Sequence, residues 1–335
     1  MTRVAIHGFG RIGRQVFKAI WHYHQGDVEV VAIGLNDIGD AKAAAHLLKY
    51  DSNYGRFAPD VRADGDDLLV ADMRIPLVAA TTPSGLPWGK LGVDVVIDAT
   101  GAHAGGRLAA GHLEAGAGKA IVAAPSEDAD VTLIVGVNEG DYDPAVHHVI
   151  STGSDTTNAL APLLKVIDGR FGLVGAMMTA VRAYTNEQKL LDATDYDLRR
   201  ARSAPTSIVP TTTRASKAIG QVMPHLKGRV SGFAVCVPVP SVSVLELTCH
   251  LDPEVDAEAI NQAFREAAAN GLGHVLAISD DALVSSDFRG SRFSAVVDAP
   301  STLAIGPLSK VAAWYDNEWG YASRVAEAAK LVSDR

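Results

Sequence analysis

Apolar and polar residues alternate along Thr2–His7, and β-branched side chains recur within the run, which is the period of a strand. The run passes into Gly8, Phe9, Gly10, Arg11, Ile12 and Gly13, and residues 11–24 then take a helical spacing. A second strand-like run, Val28–Leu35, ends in Asn36 and Asp37, and a helical stretch follows at Ala41–Lys49. A polar loop-and-hairpin region extends to about Leu77. Residues 92–98 form a strongly apolar strand that ends in Ala99, Thr100 and Gly101. Residues 107–117 are predicted as a helix, 120–124 and 131–135 as strands, and 147–150 leads into the centre of the chain. Strands alternating with helices in this way predict a doubly wound parallel sheet.

From the centre onward the pattern changes. Alternation over Leu173–Ala183 and 232–251, with shorter runs at 293–298 and 309–315, predicts a mostly antiparallel sheet. Ala257–Ala269 and the closing stretch Trp319–Ser333 have helical spacing, and residues 184–207 are rich in charge and turn residues. The predicted class is therefore α/β, with a Rossmann-type dinucleotide-binding domain and an α+β domain built on the second sheet.

The G-x-G-x-x-G run has a physical reason for its spacing. Gly8 permits a tight turn, Gly10 lets the backbone approach a pyrophosphate, and Gly13 lets the helix pack closely on the strand. The helix start then offers its N–H groups to phosphate. The motif alone is weak, but here it follows a strand, opens a helix and precedes a second strand ending in Asp37. A carboxylate at that distance accepts hydrogen bonds from an adenosine ribose and repels a 2′-phosphate, which favours NAD over NADP. A simple turn residue is the alternative at Asp37.

Composition narrows the function classes. At 335 residues, 47% apolar and 21% charged, the chain has material for two domains with ordinary cores. The apolar runs are too short for a membrane span, and the N-terminus lacks the apolar region of a secretory signal. The two cysteines, Cys236 and Cys249, make neither a disulfide framework nor metal-ligand spacing, so no metal is expected and a cytoplasmic location fits. A formal charge of −9 argues against nucleic acid as a partner, though not against a small anion in a locally positive pocket. His7, His46 and His103 stand alone in sequence and are expected to be structural or surface residues.

Several segments together resemble the glyceraldehyde-3-phosphate dehydrogenase family: AIHGFGRIGR, AAAHLLKYDSNYGRF, HLEAGAGKAIVAAPSEDADVTLIVGVN, STGSDTTNALAP, DLRRARSAPTSIVPTTT, LVSSDFRG and WYDNEWGYASRV. The resemblance runs almost from end to end. It implies an NAD-binding Rossmann domain at 1–152 and 317–335, a catalytic domain at 153–316, and a homotetramer in which the 184–207 loop reaches across a subunit interface. It also implies roles for particular residues. Phe9 to Ile12 match the pyrophosphate loop, Asp37 the ribose carboxylate beside Asn36, and Thr100, next to Gly101, a position near the adenosine. Asn317 matches the holder of the nicotinamide carboxamide, and Tyr321 the neighbouring ring. Ser154, Thr156, Thr185, Arg202 and Thr213 match anion-site positions. Gly34 and Leu35 look like an insertion, which bears on the adenine pocket's shape.

The catalytic positions depart from the family. Its cysteine maps to Asp155, its histidine to Arg182, its substrate-phosphate arginine to Cys236, and the glycine after its phosphate-binding threonines to Arg214. A carboxylate cannot copy thiolate attack on an aldehyde, so the thioester route is excluded with Asp155 in place. Direct hydride transfer to a carbonyl needs only a polarised oxygen and a proton, and Arg182 can polarise that oxygen or clamp a carboxylate. Asp155 can move a proton, but if paired with Arg182 it is favoured in its ionised form and orients the arginine or substrate instead. The expected substrate is small and anionic, carrying phosphate, phosphonate or carboxylate. The competing reading makes Asp155 and Arg182 a structural charge pair in a catalytically silent NAD-binding homologue, with a solvated loop arginine at Arg214.

Overall fold

The run Thr2–His7 becomes the central strand of a nine-stranded sheet, paired in parallel with Val28–Leu35 on one side and Val95–Asp98 on the other. The computed structural model describes residues 1–35, 41–101 and 105–333, which divide into two compact units. Asn36, Asp37 and His103 lie outside the described residues. The first unit holds Met1–Ser154 and the C-terminal segment from Ala322.

Parallel pairing continues through Lys119–Val122, Val149–Ser151 and Val131–Thr132, and on the other flank through Met73–Ala79. Asp67–Val70 and Val61–Asp64 add an antiparallel edge. Val4, Ala5 and Ile6 are fully buried, as a central parallel strand covered on both faces requires. The helix Arg11–Tyr23 connects the first two strands.

Several expected boundaries move. Residues 107–117 form two single turns, Gly106–Ala109 and Gly111–Glu114, and a Cβ on Gly111 would lie 3.2 Å from Pro83 and Ser84. The strand expected from 92 starts at Val95, since the Val93 N–H bonds back to the Trp88 carbonyl (3.1 Å). The regular ladder ends at Thr132, with one further bond from the Leu133 N–H to the Ser151 carbonyl (2.8 Å), after which the Asn138 side chain takes the Ile134 N–H (2.8 Å) that a ladder would use.

The second unit, Asp155–Tyr321, is built on an eight-stranded, mostly antiparallel sheet. Leu173–Ala183 lies between Ser243–Leu251, antiparallel, and Val230–Val237, parallel. The expected 232–251 stretch splits into those last two strands because Pro238 and Pro240 cannot donate to a ladder. Leu308–Tyr315 and Ala295–Asp298 extend the sheet. The helix Asp155–Phe171 buries Leu160, Leu163, Leu164 and Ile167, and each such side chain contributes about 1.5–3 kcal/mol of transfer free energy. Among the described residues no helix is long and apolar enough to cross a membrane.

Candidate active site

In the first unit the glycine run closes a turn that larger residues could not make. Gly8 has φ +90°, and a Cβ there would lie 2.6 Å from the Thr100 nitrogen. A Cβ on Gly13 would run into the Gly8 carbonyl oxygen, so the helix can sit this close to the strand only without one. Gly10 is different: nothing lies within 4 Å of where its Cβ would be, so that side of the turn is open at a helix start whose dipole favours an anion.

The side chains beside this opening are tied back into the protein. Arg11 holds Asp51 through two bonds (3.2 and 3.3 Å), which leaves its backbone rather than its charge as the part suited to pyrophosphate. Arg14 donates to the Phe9 carbonyl (2.9 Å), and the buried Phe9 ring packs edge-on against Phe17. Thr100 donates through both its backbone nitrogen (3.0 Å) and its hydroxyl (2.6 Å) to Asp98, and Gly101 follows with φ +69°. Ile12 is half-buried on the opening turn of the helix.

In the second unit the charges meet. Asp155 is the first residue of its helix, where a negative charge complements the dipole, and it accepts the Thr156 N–H (2.7 Å). Arg182, from the strand Leu173–Ala183, reaches both carboxylate oxygens with Nη2, at 3.3 and 3.1 Å. Asp155 holds the guanidinium well above its ordinary pKa, against the pull of burial, so Arg182 is a permanent cation. Its Nε is buried with no hydrogen-bond partner among the described residues. Tyr315 completes the cluster. Its hydroxyl lies 3.1 Å from Thr156 Oγ1 and bonds Ser243, and burial with the nearby Asp155 charge pushes its pKa up to about 12.

Both cysteines are buried, and burial pushes the Cys236 thiol up despite the opposing pull of Arg182 and Arg200. Burial takes Cys249 to about 12. Neither is poised as a thiolate.

The other sequence-predicted residues are placed less evenly. Arg202 points to solvent and pairs with Asp192 (2.9 Å), whereas Arg200, which sequence reading passed over, is half-buried, pairs with Glu187 through Nη2 (3.5 Å), carries its charge near Cys236 and has a buried Nε with no partner among the described residues. The signal was present only as one of several arginines in DLRRARS, since the loop's turn decides which points inward. Tyr315 and Ser243 were also missed, because strand neighbours distant in sequence bring them to Thr156. Thr185 bonds Gln188 (3.0 Å), and Thr213 accepts the Ala215 N–H (3.2 Å). Arg214 is exposed at the cap of Ala215–Val222, a helix packed on Asp155–Phe171. Ser154 is the half-buried last residue of the first unit. Asn317 is fixed by its Oδ1, which accepts the Val242 N–H (3.1 Å), so its amide N–H2 is turned the other way. Tyr321 is buried in the second unit.

Residues 2–105 match the model of the glyceraldehyde 3-phosphate dehydrogenase NAD-binding domain, and residues 154–317 match that of its C-terminal domain. The chain belongs to the glyceraldehyde-3-phosphate dehydrogenase family. It is 48% identical over 335 residues to glyceraldehyde-3-phosphate dehydrogenase of Geobacillus stearothermophilus, covering 100% of this chain and 99% of that protein. It is 45% identical over 336 residues to the Streptomyces coelicolor protein of that name (99% of each), and 46% over 335 to the chloroplastic A form of Zea mays (99% of this chain, 83% of that one). The chain is thus an NAD-dependent oxidoreductase of this family, with the Rossmann and catalytic folds expected. The open Gly10 turn fits the cofactor's pyrophosphate. NAD, when bound, supplies the hydride acceptor or, reduced, the donor.

Proposed function

We propose that the chain transfers hydride between NAD and a small anionic carbonyl or alcohol without forming a thioester. The observation that carries this reading is the Asp155–Arg182 pair at the head of the helix, 3.1 Å apart, where the family resemblance puts a thiol and its base. Arg182 supplies a fixed positive charge. Asp155 holds one edge of the guanidinium and so aims the remainder at a carbonyl oxygen or a substrate carboxylate. In reduction, the carbonyl carbon gains hydride, the π pair moves to oxygen beside Arg182, and water delivers the proton. In oxidation the same steps run backward. Arg200 and Arg214, with Ser154, Thr156, Thr185 and Thr213, offer the substrate's phosphate, phosphonate or carboxylate its partners.

The test follows NADH absorbance across phosphorylated and carboxylated aldehydes, ketones and alcohols, with glyceraldehyde 3-phosphate plus inorganic phosphate as a separate arm. Turnover independent of inorganic phosphate, falling about 100-fold in Asp155→Asn with NAD affinity unchanged, is the expected result. Phosphate-dependent formation of an acyl phosphate overturns it. Tight NAD binding with no turnover on any substrate returns the protein to the silent reading.

The same proposal includes a homotetramer. Val174, Met177, Phe233 and Leu308 stand exposed on the strands of the second sheet, and Leu190, Leu191, Tyr196 and Leu198 on the 184–207 loop. Apolar exposure on these elements supports an interface between copies of the chain. Light scattering should give about four times the 35.1 kDa chain, and a monomer would remove this part of the proposal.

A further inference from the structure

Beneath the Gly8 turn lies a chain of buried polar groups that hydride transfer does not use. Trp88 donates its indole N–H to His112 Nδ1 (2.9 Å), and His112 Nε2 faces Asp98 Oδ2 (3.3 Å). The other oxygen of Asp98 takes both bonds from Thr100. His7 completes the group, its Nδ1 3.9 Å from Asp98 and its ring edge-on to His112. All four core members, Trp88, His112, Asp98 and His7, are at most 2% exposed.

His7, Asp98 and His112 are close enough to meet a cation, but the hydrogen bonds argue against one. An indole N–H can only donate, so His112 Nδ1 must accept, and in the neutral ring the proton then sits on Nε2. That nitrogen is a donor to Asp98 rather than a lone pair for a metal. The direction of the whole chain is fixed: Trp88 to His112 to Asp98, with Thr100 donating from the far side. Its end point matters because Thr100 is the residue against which the Gly8 turn closes, at the carboxyl ends of the parallel strands, where ligands of such sheets bind.

We infer that His112 is a positioning residue for the cofactor, acting through Asp98 to hold Thr100 and the Gly8 turn in the geometry that receives the adenosine end. The inference rests on NAD binding at this edge. Without the His112 donor, the Asp98 carboxylate loses one buried partner and can rotate, and Thr100 loses its fixed orientation. The effect falls on binding rather than on hydride transfer.

The test uses the full chain, with NAD and ADP as probes in titration calorimetry. His112→Gln places an amide N–H near the Nε2 position and keeps the donor to Asp98, whereas His112→Asn is too short to do so. NAD and ADP should both bind about 10-fold more weakly to the Asn variant and within about 3-fold of the parent to the Gln variant, while thermal stability falls in both. Equal loss of affinity in the two variants, in step with stability, makes the role structural and overturns the inference. So does weakened NAD binding with ADP binding unchanged. Failure of the unsubstituted chain to bind either probe would instead refute the location of the cofactor, and the two failures are distinguishable.

Discussion

The nucleotide edge of the first unit and the charge cluster of the second prepare for anions in opposite ways. At the edge, charged and polar side chains turn inward: Arg11 to Asp51, Thr100 to Asp98, Arg14 to the Phe9 carbonyl. What is left at the opening is backbone, shaped by Gly8, Gly10 and Gly13. In the cluster the side chains themselves are the apparatus, with Arg182 held by Asp155 and Tyr315 bonded to Thr156 and Ser243. A backbone site tolerates little change in shape and draws an anion through fixed N–H dipoles rather than through side-chain charge. A side-chain site depends on which charges meet, and here they are those of Asp155 and Arg182.

The largest test of that contrast is Gly13→Ala. The added methyl has no room beside the Gly8 carbonyl, so the helix must shift, at a cost of about 3 kcal/mol with loss of measurable NAD binding. Urea unfolding and NAD titration check it, and an intact Kd would show that the edge is less dependent on shape than its packing indicates.

Breaking the ion pair should cost somewhat less. Arg182→Leu leaves Asp155 without its counter-charge, and because the guanidinium is partly exposed the expected loss is about 2 kcal/mol. The double replacement Asp155→Leu with Arg182→Leu should recover most of it in a double-mutant cycle. NAD affinity should be unaltered throughout. A double variant as unstable as the sum of the singles would mean that the two charges do not act as a pair.

The smallest effect joins the two themes at Asp98, a charge within the backbone-shaped region. Burial pushes its carboxyl up, but hydrogen bonds from His112 and Thr100 outweigh this and hold it below the usual carboxylate range. A group depressed on folding stabilises the native state above its unfolded pKa, about 4, and that contribution is lost as pH falls through the folded value. Asp98→Asn should therefore cost about 1.5 kcal/mol at pH 7 and show a shallower loss of stability below about pH 4. Urea midpoints from pH 7 down to pH 2 measure both.

The elements with long, unbroken periodicity were legible from sequence: Thr2–His7, Val28–Leu35, Ala41–Lys49, Leu173–Ala183, Ala257–Ala269 and Trp319–Ser333 all fold over those residues. Where the period was right and the outcome differed, a local hydrogen bond could take over, as at Asn138 capturing the Ile134 N–H. His7 was expected to be structural, and its burial beside Asp98 and His112 gives that expectation a setting that spacing alone could not supply.

Sequence by itself determined the two kinds of sheet, the glycine turn and its cofactor, and the absence of a cysteine at position 155. These depend on residues near one another along the chain, where period, turn geometry and residue type act directly. Only the tertiary structure decided that Asp155 meets Arg182, that Tyr315 and Ser243 stand behind Thr156, that Arg200 rather than Arg202 turns inward, and that Trp88 reaches Thr100 through His112 and Asp98. Those pairings join residues from separate strands and helices. Strand register and burial select them, and neither is written in any single stretch of sequence.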